Sequence, residues 1–308
     1  MRFIQWPSGR ASWTPIMSPL EKSFVTKSPK NHATPLRIGA VNYLNSKPLI
    51  HGLTDSGQSR DGQEYRLLLD LPSRLADSLA EHRIDVALIP SVEFFRNPNY
   101  TIVSDACIAC SGPVMSVKLF FRVPPRKVQR LALDEGSRTS VALARILLDE
   151  LHGVSPELEP LPIGSDASDT DADATLLIGD RAMHPPLEPF VEVWDLGEKW
   201  CEWSRLPFVF AMWVGRPCAN LASIGPLLSD ARNLGLTATD EIAEREAALL
   251  DIDPKIAASY LRDNLHFVFS APERQGLLRF YHLCAERELV PIGMESMIDQ
   301  LNIDGCTV

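Results

Sequence analysis

The chain has 308 residues, 45% of them hydrophobic and 23% charged, enough apolar material for two domains in the proportions of a soluble globular protein. A net charge of −10, with no basic stripe along any expected helix, sets aside nucleic acid and acidic membrane surfaces as partners. No apolar run reaches the ~18–20 residues needed to cross a bilayer.

Residues 1–35 carry five basic residues and one acidic, with scattered Pro and Ser and no periodicity. They lack the apolar core of ~7–15 residues that a secretory signal needs. This stretch is read as a disordered N-terminal extension, with Met17 as an alternative start, and is left out of the fold.

From Arg37 the pattern becomes strand, helix, strand. "RIGAV" (37–41) reads as a buried strand, and "KPLIHGL" as a helix start with Pro48 in its first turn. "YRLLLDL" (65–71) is a second strand. "PSRLADSLAEHR" (72–83) is an amphipathic helix with Leu75 and Leu79 at i, i+4 and Ser73 placed to cap it. "IDVALIP" (84–90) is an unbroken apolar strand of the kind covered on both faces, followed by a short helix capped by Ser91.

Further on, "SVKLFFRV" (116–123) is a strand, and 129–151 forms a strand–loop–helix unit. "DATLLIGDRAM" (173–183) is a strand running into a Gly-Asp turn, and "LPFVFAMWVG" (206–215) is another apolar segment. Beyond 220 helices dominate, with a break at Asp253–Pro254. Strands alternating with helices indicate an α/β protein. The grouping suggests two lobes, each a sheet flanked by helices, joined by two crossing strands near 116–123 and 206–215. The expected divisions are 36–118 for the first lobe, 119–213 for the second, and 214–308 for a mostly helical return to the first. Such a clamshell closes on its ligand by a hinge movement.

Six cysteines are thinly spread, at 107, 110, 201, 218, 284 and 306. The C-x-x-C pair Cys107–Cys110 has no second pair and no nearby histidine to complete a zinc set, so these are small buried side chains. A reduced, cytoplasmic setting follows.

Ligands of open parallel sheets gather beyond the carboxyl ends of strands. Three segments have that design: Asn42 and Asn45 after strand 37–41, Ser91 after strand 84–90, and "DEGSRTSVALARILL". In the last, Ser137, Thr139 and Ser140 precede an apolar helix whose start favours a carboxylate or phosphate. A simple cap needs only one hydroxyl, so capping and anion binding both stay open, and three hydroxyls favour the second. Asp180 in "IGDRA" is either an acid–base group or a turn aspartate. His51, His82 and His184 sit among turn and surface signals. No phosphate loop, nucleophile elbow or H-E-x-x-H motif occurs. The residues alone describe a two-lobed binder of a small anion.

Six ordered blocks go further: "RIGAVNYLNSKPLIHGL", "DVALIPSVEFFRNPNY", "SGPVMSVKLFFRVP", "LDEGSRTSVALARILL", "ATLLIGDRAM" and "VWDLGEKWCEWSRLPFVFAMW". Together they resemble consecutive motifs of the chorismate dehydratase family of the futalosine route to menaquinone. The resemblance runs from about Arg37 to Trp213 and more weakly to about Gln300. It implies a type II periplasmic-binding-protein fold used as a cytoplasmic hydro-lyase, with chorismate as the small-molecule substrate and no cofactor or metal. It implies a catalytic role for Asn45, as an orienting group, since an amide is a poor base. It also implies substrate-carboxylate contacts for Ser91, Thr139 and Ser140, with Ser137 at the same helix start. Ser204-Arg205 departs from the Thr-Gly of many relatives, which touches only a turn. The rivals are 1,4-dihydroxy-6-naphthoate synthase, whose cleft histidine has no match in these motifs, and a non-catalytic binding protein for a small carboxylate. Monomer and homodimer stay equally open.

Overall fold

The computed structural model describes residues 34–184, 188–217 and 221–299. All but the last two residues of the expected N-terminal extension, together with Cys218 and Cys306, lie outside them.

The strands are β1 (Leu36–Val41), β2 (Ser56–Gln58), β3 (Glu64–Asp70), β4 (Val86–Pro90), β5 (Thr101–Cys110), β6 (Val117–Phe121), β7 (Arg130–Asp134), β8 (Glu157–Leu161), β9 (Ala174–Ile178), β10 (Glu192–Asp195), β11 (Phe208–Gly215) and β12 (His266–Val268). They form two sheets. The larger runs β12-β5-β11-β4-β1-β3-β2 and the smaller β10-β6-β9-β7-β8. In the larger, β1 pairs in parallel with β3 and β4, while β11 runs antiparallel between β4 and β5. Central position explains composition: every residue of β4, β9 and β11 is buried, so these strands read as continuous apolar runs rather than alternating ones. Cys107 and Cys110 lie buried on β5 as free thiols, and Cys201 and Cys284 are free as well.

The helices are α1 (Pro72–Ala80), α2 (Ser91–Phe94), α3 (Arg138–His152), α4 (Leu196–Ser204), α5 (Leu221–Thr237), α6 (Thr239–Leu250), α7 (Pro254–Ser259), α8 (Ala271–Glu286) and α9 (Ser296–Asp299). Leu75 and Leu79 of α1 are buried as their spacing predicts, and Gly39 of β1 lets that helix approach, since a Cβ there would stand 2.7 Å from Leu75 and Ile84. Three local expectations change. Pro72 opens α1, with Ser73 inside the first turn and Leu71 at the cap position. Ser91 begins α2 instead of capping it. The segment around Pro48 is a 3-10 helix, Leu44–Ile50.

The chain leaves the larger sheet after Cys110 and enters the smaller at Val117. It returns after α4, so β6 belongs to the smaller sheet and β11, from Phe208, to the larger. The connection Ser111–Ser116 and the short one before Phe208 thus carry the exchange, and the two strands expected to cross each stay within one sheet. At the amino ends of β1 and β4, far along the strands from those carboxyl ends that meet the second sheet, Asp85 binds Arg37 and Arg216. Arg37 Nε donates to Asp85 Oδ2 at 3.0 Å, and its backbone N–H to the same oxygen at 2.9 Å. Among the described residues no helix is long and apolar enough to cross a membrane.

Candidate active site

A cavity lies where the two sheets face each other. Its wall is built from the carboxyl ends of β1 (Val41), β4 (Pro90) and β9 (Ile178), the start of α1 (Pro72), the start of α3 (Ser137, Ser140), and the connection residues Val114 and Ser116. Tyr43, Asn45, Gly179, Ile108, Val117, Phe210 and Ala211 complete it, so none of the described lining side chains is charged. The position is the one strand topology favours, with loops leading from strand ends into helix starts.

Asn45 enters the wall from the 3-10 helix after β1. Its Oδ1 is buried and has no hydrogen-bond partner in the protein. An orphaned buried acceptor costs ~1–3 kcal/mol, which a donor on a bound ligand would return. Asn42 and Lys47 play a different part: Lys47 Nζ donates to Asn42 Oδ1 at 2.9 Å and pairs with Glu246 at 3.2 Å, which shapes the turn outside the wall.

Tyr43 reaches across to the smaller sheet. Gly179, at φ +70°, lies under its ring, where a Cβ would sit 3.1 Å from Tyr43 Cζ, and Gly136 sits near its hydroxyl. Burial, and then the charge of Asp134, push the Tyr43 phenol up to about 12, so it stays protonated as a donor. Beside it Asp180 Oδ1 accepts from the Leu44 N–H at 3.2 Å, and burial raises this carboxyl. Asp180 therefore tethers the two halves through a distant backbone N–H, which differs from the local turn bond expected, and it lies outside the cavity wall.

At α3, Ser137 is a true cap: its Oγ accepts from the Ser140 N–H at 3.3 Å and lies 2.9 Å from Ser140 Oγ. The two readings of this segment are thus compatible, because the capping pair also faces the cavity. Behind it, buried Asp134 accepts from the Gly136 N–H at 2.8 Å and pairs with Arg181, whose positive charge offsets its repulsion of an anion at the helix start.

Ser91 and Thr139 depart from the expected carboxylate contacts. Both are fully buried and neither lies on the wall. Ser91 Oγ donates to the Val209 carbonyl at 2.7 Å, which leaves it as acceptor for Thr139 Oγ1 at 3.4 Å; Thr139 Oγ1 in turn accepts from the Val92 N–H at 3.2 Å. Arg138 adds bonds to Asp77 at 2.8 Å and to Glu93 at 3.4 Å. These hydroxyls join α3 to the larger sheet. A hydroxyl after a strand end looks the same in sequence whether it meets a ligand or another hydroxyl.

Ser116 was not singled out from the sequence, although it lies within a quoted block. It is buried, lines the cavity, and accepts from the Tyr260 hydroxyl at 2.7 Å. Its only local signal is a serine between a Gly-Pro pair and an apolar strand, where the chain changes sheet.

A family model described as menaquinone biosynthesis matches residues 36–286. The chain belongs to this menaquinone biosynthesis family. Among curated relatives, a chorismate dehydratase of Thermus thermophilus is 32% identical, across 80% of this chain and 94% of its own length. A chorismate dehydratase of Campylobacter jejuni is 27% identical, across 79% and 90%. Solved structures agree on fold. A protein of Archaeoglobus fulgidus superposes with a TM-score of 0.64 at 15% identity, covering 85% of this chain and all of that one. The periplasmic aliphatic sulphonate binding protein SsuA of Escherichia coli gives 0.58 at 16% identity, covering 86% and 91%. The two-lobed periplasmic-binding-protein fold expected from the motifs is the fold of this family member.

In this menaquinone biosynthesis protein the cavity offers amide, hydroxyl and helix-start N–H groups, with one orphaned acceptor. Such a wall has the chemistry to hold an anion, position a hydroxyl and exclude water. It supplies no carboxylate, imidazole or amine from its own side chains to act as a base.

Proposed function

We propose that the protein is a chorismate dehydratase acting in menaquinone biosynthesis, with the cavity around Asn45 as its active site. What carries this reading is the match, over most of both chains, to chorismate dehydratases, together with a wall that suits the reaction. Chorismate loses its ring hydroxyl and a neighbouring ring proton as water, and the ring becomes aromatic in 3-[(1-carboxyvinyl)oxy]benzoate. Because aromatisation drives the elimination, the protein's task is to orient a dianion, keep out bulk water and assist one proton transfer.

The residues divide that task. The α3 start, with Ser137 and Ser140, receives one carboxylate through N–H and O–H donors. Asn45 Oδ1 accepts from the substrate hydroxyl, and Ser116 donates to a neighbouring substrate oxygen. With no basic side chain on the wall, a carboxylate of chorismate itself takes the neighbouring ring proton as the ring C–O bond breaks, and hands it to the departing hydroxyl, which leaves as water. The reaction stands at the head of the futalosine route, in the cytoplasm. Hinge movement at the two connections between sheets admits the substrate.

Purified protein mixed with chorismate, followed by absorbance and by product mass, tests the reading. Bound but unchanged chorismate would favour a binding protein of the same fold.

A further inference from the structure

Tyr260 comes to the site from a distant part of the chain. It opens a single π-helical turn, Tyr260–Asn264, that follows α7 directly. Such turns widen the helix and redirect side chains, at a cost that is accepted mostly where function needs it. Here the redirection aims two side chains at one target. The Tyr260 hydroxyl bonds Ser116 Oγ at 2.7 Å, and Asn264 Nδ2 donates to the Pro113 carbonyl at 2.9 Å. Both hold the connection Ser111–Ser116 by which the chain changes sheet. Ser116 is further fixed from the smaller sheet, its carbonyl accepting from the Gly179 N–H at 2.8 Å.

Tyr260 is fully buried and stands behind the cavity wall, not on it. Burial pushes its phenol far above the ordinary range, with hydrogen bonding to Ser116 and Asn45 drawing it back only in part, so the proton stays on. A phenol is a stronger donor than an alkyl alcohol, so in this pair the Tyr260 O–H donates the hydrogen bond and Ser116 Oγ accepts it. Among the described residues Ser116 Oγ makes no other hydrogen bond, which leaves its own proton for the cavity.

We propose that Tyr260 is a positioning residue: by donating to Ser116 Oγ, it turns the Ser116 hydroxyl into a fixed donor toward the substrate. The wall then has a set polarity, with a donor at Ser116 and an acceptor at Asn45 Oδ1. It fits a ligand that places an accepting oxygen beside a hydroxyl. The inference rests on the chorismate dehydratase reading and adds a residue that acts through another.

The test is steady-state kinetics with chorismate for wild type, Tyr260→Phe, Ser116→Ala, the double variant and Asn264→Ala, with a melting temperature for each. Removing one hydroxyl while keeping the ring should lower kcat by about 10-fold or more, because misplacement of a reacting group is costly. KM should stay within about 3-fold, since the lost interaction acts in the transition state. In the Ser116→Ala background Tyr260→Phe should cost clearly less than in wild type, the remainder being its bond to Asn45, whereas Asn264→Ala, which loosens the same connection without touching either hydroxyl, should keep kcat within about 3-fold. Turnover by Tyr260→Phe within two-fold of wild type overturns the inference, as do additive losses in the double variant or an equal loss in Asn264→Ala. If Tyr260→Phe does not fold, 3-fluorotyrosine at 260, near-isosteric and more acidic, should shift kcat at constant KM; an unmoved kcat overturns the inference. A wild type that leaves chorismate intact overturns the parent reading, and this inference with it.

Discussion

Ser140 shows what a single hydroxyl does at the start of a helix. It shares the α3 opening with Ser137, 2.9 Å away, and both face the cavity. A hydrogen bond to a charged carboxylate contributes ~1.5–3 kcal/mol, so Ser140→Ala should raise KM for chorismate by about 10-fold or more, with kcat much less affected. Thr139, one residue earlier, should behave differently, because its oxygen is taken up by Ser91 and the Val92 N–H. Arg205 illustrates the reverse case, a residue that fits its place poorly. It ends α4 at φ +61°, in the left-handed region where a Cβ is disfavoured. Arg205→Gly should stabilise by about 0.5–1 kcal/mol once glycine's larger entropy in the unfolded chain is subtracted, visible as a higher melting temperature with unchanged turnover. Asn45, Ser137 and Ser140 were legible because each follows a strand end in a polar cluster. Ser91 and Thr139 sent the same signal for another reason: two buried hydroxyls that satisfy each other also sit at strand ends. Ser116 sent almost none, since its importance comes from a connection whose position only the folded chain defines.

At the scale of elements, the placement of Asn45 depends on how closely α5 approaches the 3-10 helix Leu44–Ile50. Gly235 makes that possible, because a Cβ there would collide with the Pro48 carbonyl oxygen. Inside a helix, Gly→Ala ordinarily stabilises by ~0.5–1 kcal/mol, whereas a collision with backbone costs ~1–3 kcal/mol, so the collision decides the sign. Gly235→Ala should lower the melting temperature and, by shifting Asn45, reduce kcat. An increase in stability would show that the two segments can part without loss. Strands were read well from sequence because fully buried strands are unbroken apolar runs. The sequence does not separate the 3-10 helix from an ordinary helix start, since proline at 48 suits the opening of either. The sequence points to strands as the crossing for a related reason: β11 is apolar along its length and β6 is so except at Lys118, as inner strands of one sheet are, whereas the connections before them are short and irregular.

Across the whole molecule, charge is arranged in two ways. The cavity keeps charged side chains off its wall, while the amino ends of β1 and β4 carry a charged staple, Asp85 with Arg37 and Arg216. Burial alone would raise the Asp85 carboxyl, but hydrogen bonds from the Arg37 side chain and backbone, and from Arg216, outweigh it and hold the group at about 2. With a folded value below the ordinary ~3.9, its contribution is fully present above pH ~4 and is lost as pH falls toward 2. That contribution is on the order of 2 kcal/mol, so acid unfolding between pH ~4 and 2 should be blunted in Asp85→Asn, which is less stable at neutral pH but loses less on acidification. A parallel loss in both proteins would place the acid sensitivity elsewhere.

The match to chorismate dehydratases, with the uncharged wall and the orphaned Asn45 oxygen, points to one reaction, and it can be measured directly. Purified wild type and Asn45→Ala are each given saturating chorismate, and the products are separated and weighed by mass spectrometry. Wild type should yield an aromatic product lighter than chorismate by one water, and the variant should form it at least ~100-fold more slowly, as when a group oriented for the transition state is removed. Chorismate left intact by wild type, or converted equally fast by both, would contradict the assignment of this cavity as a chorismate dehydratase site.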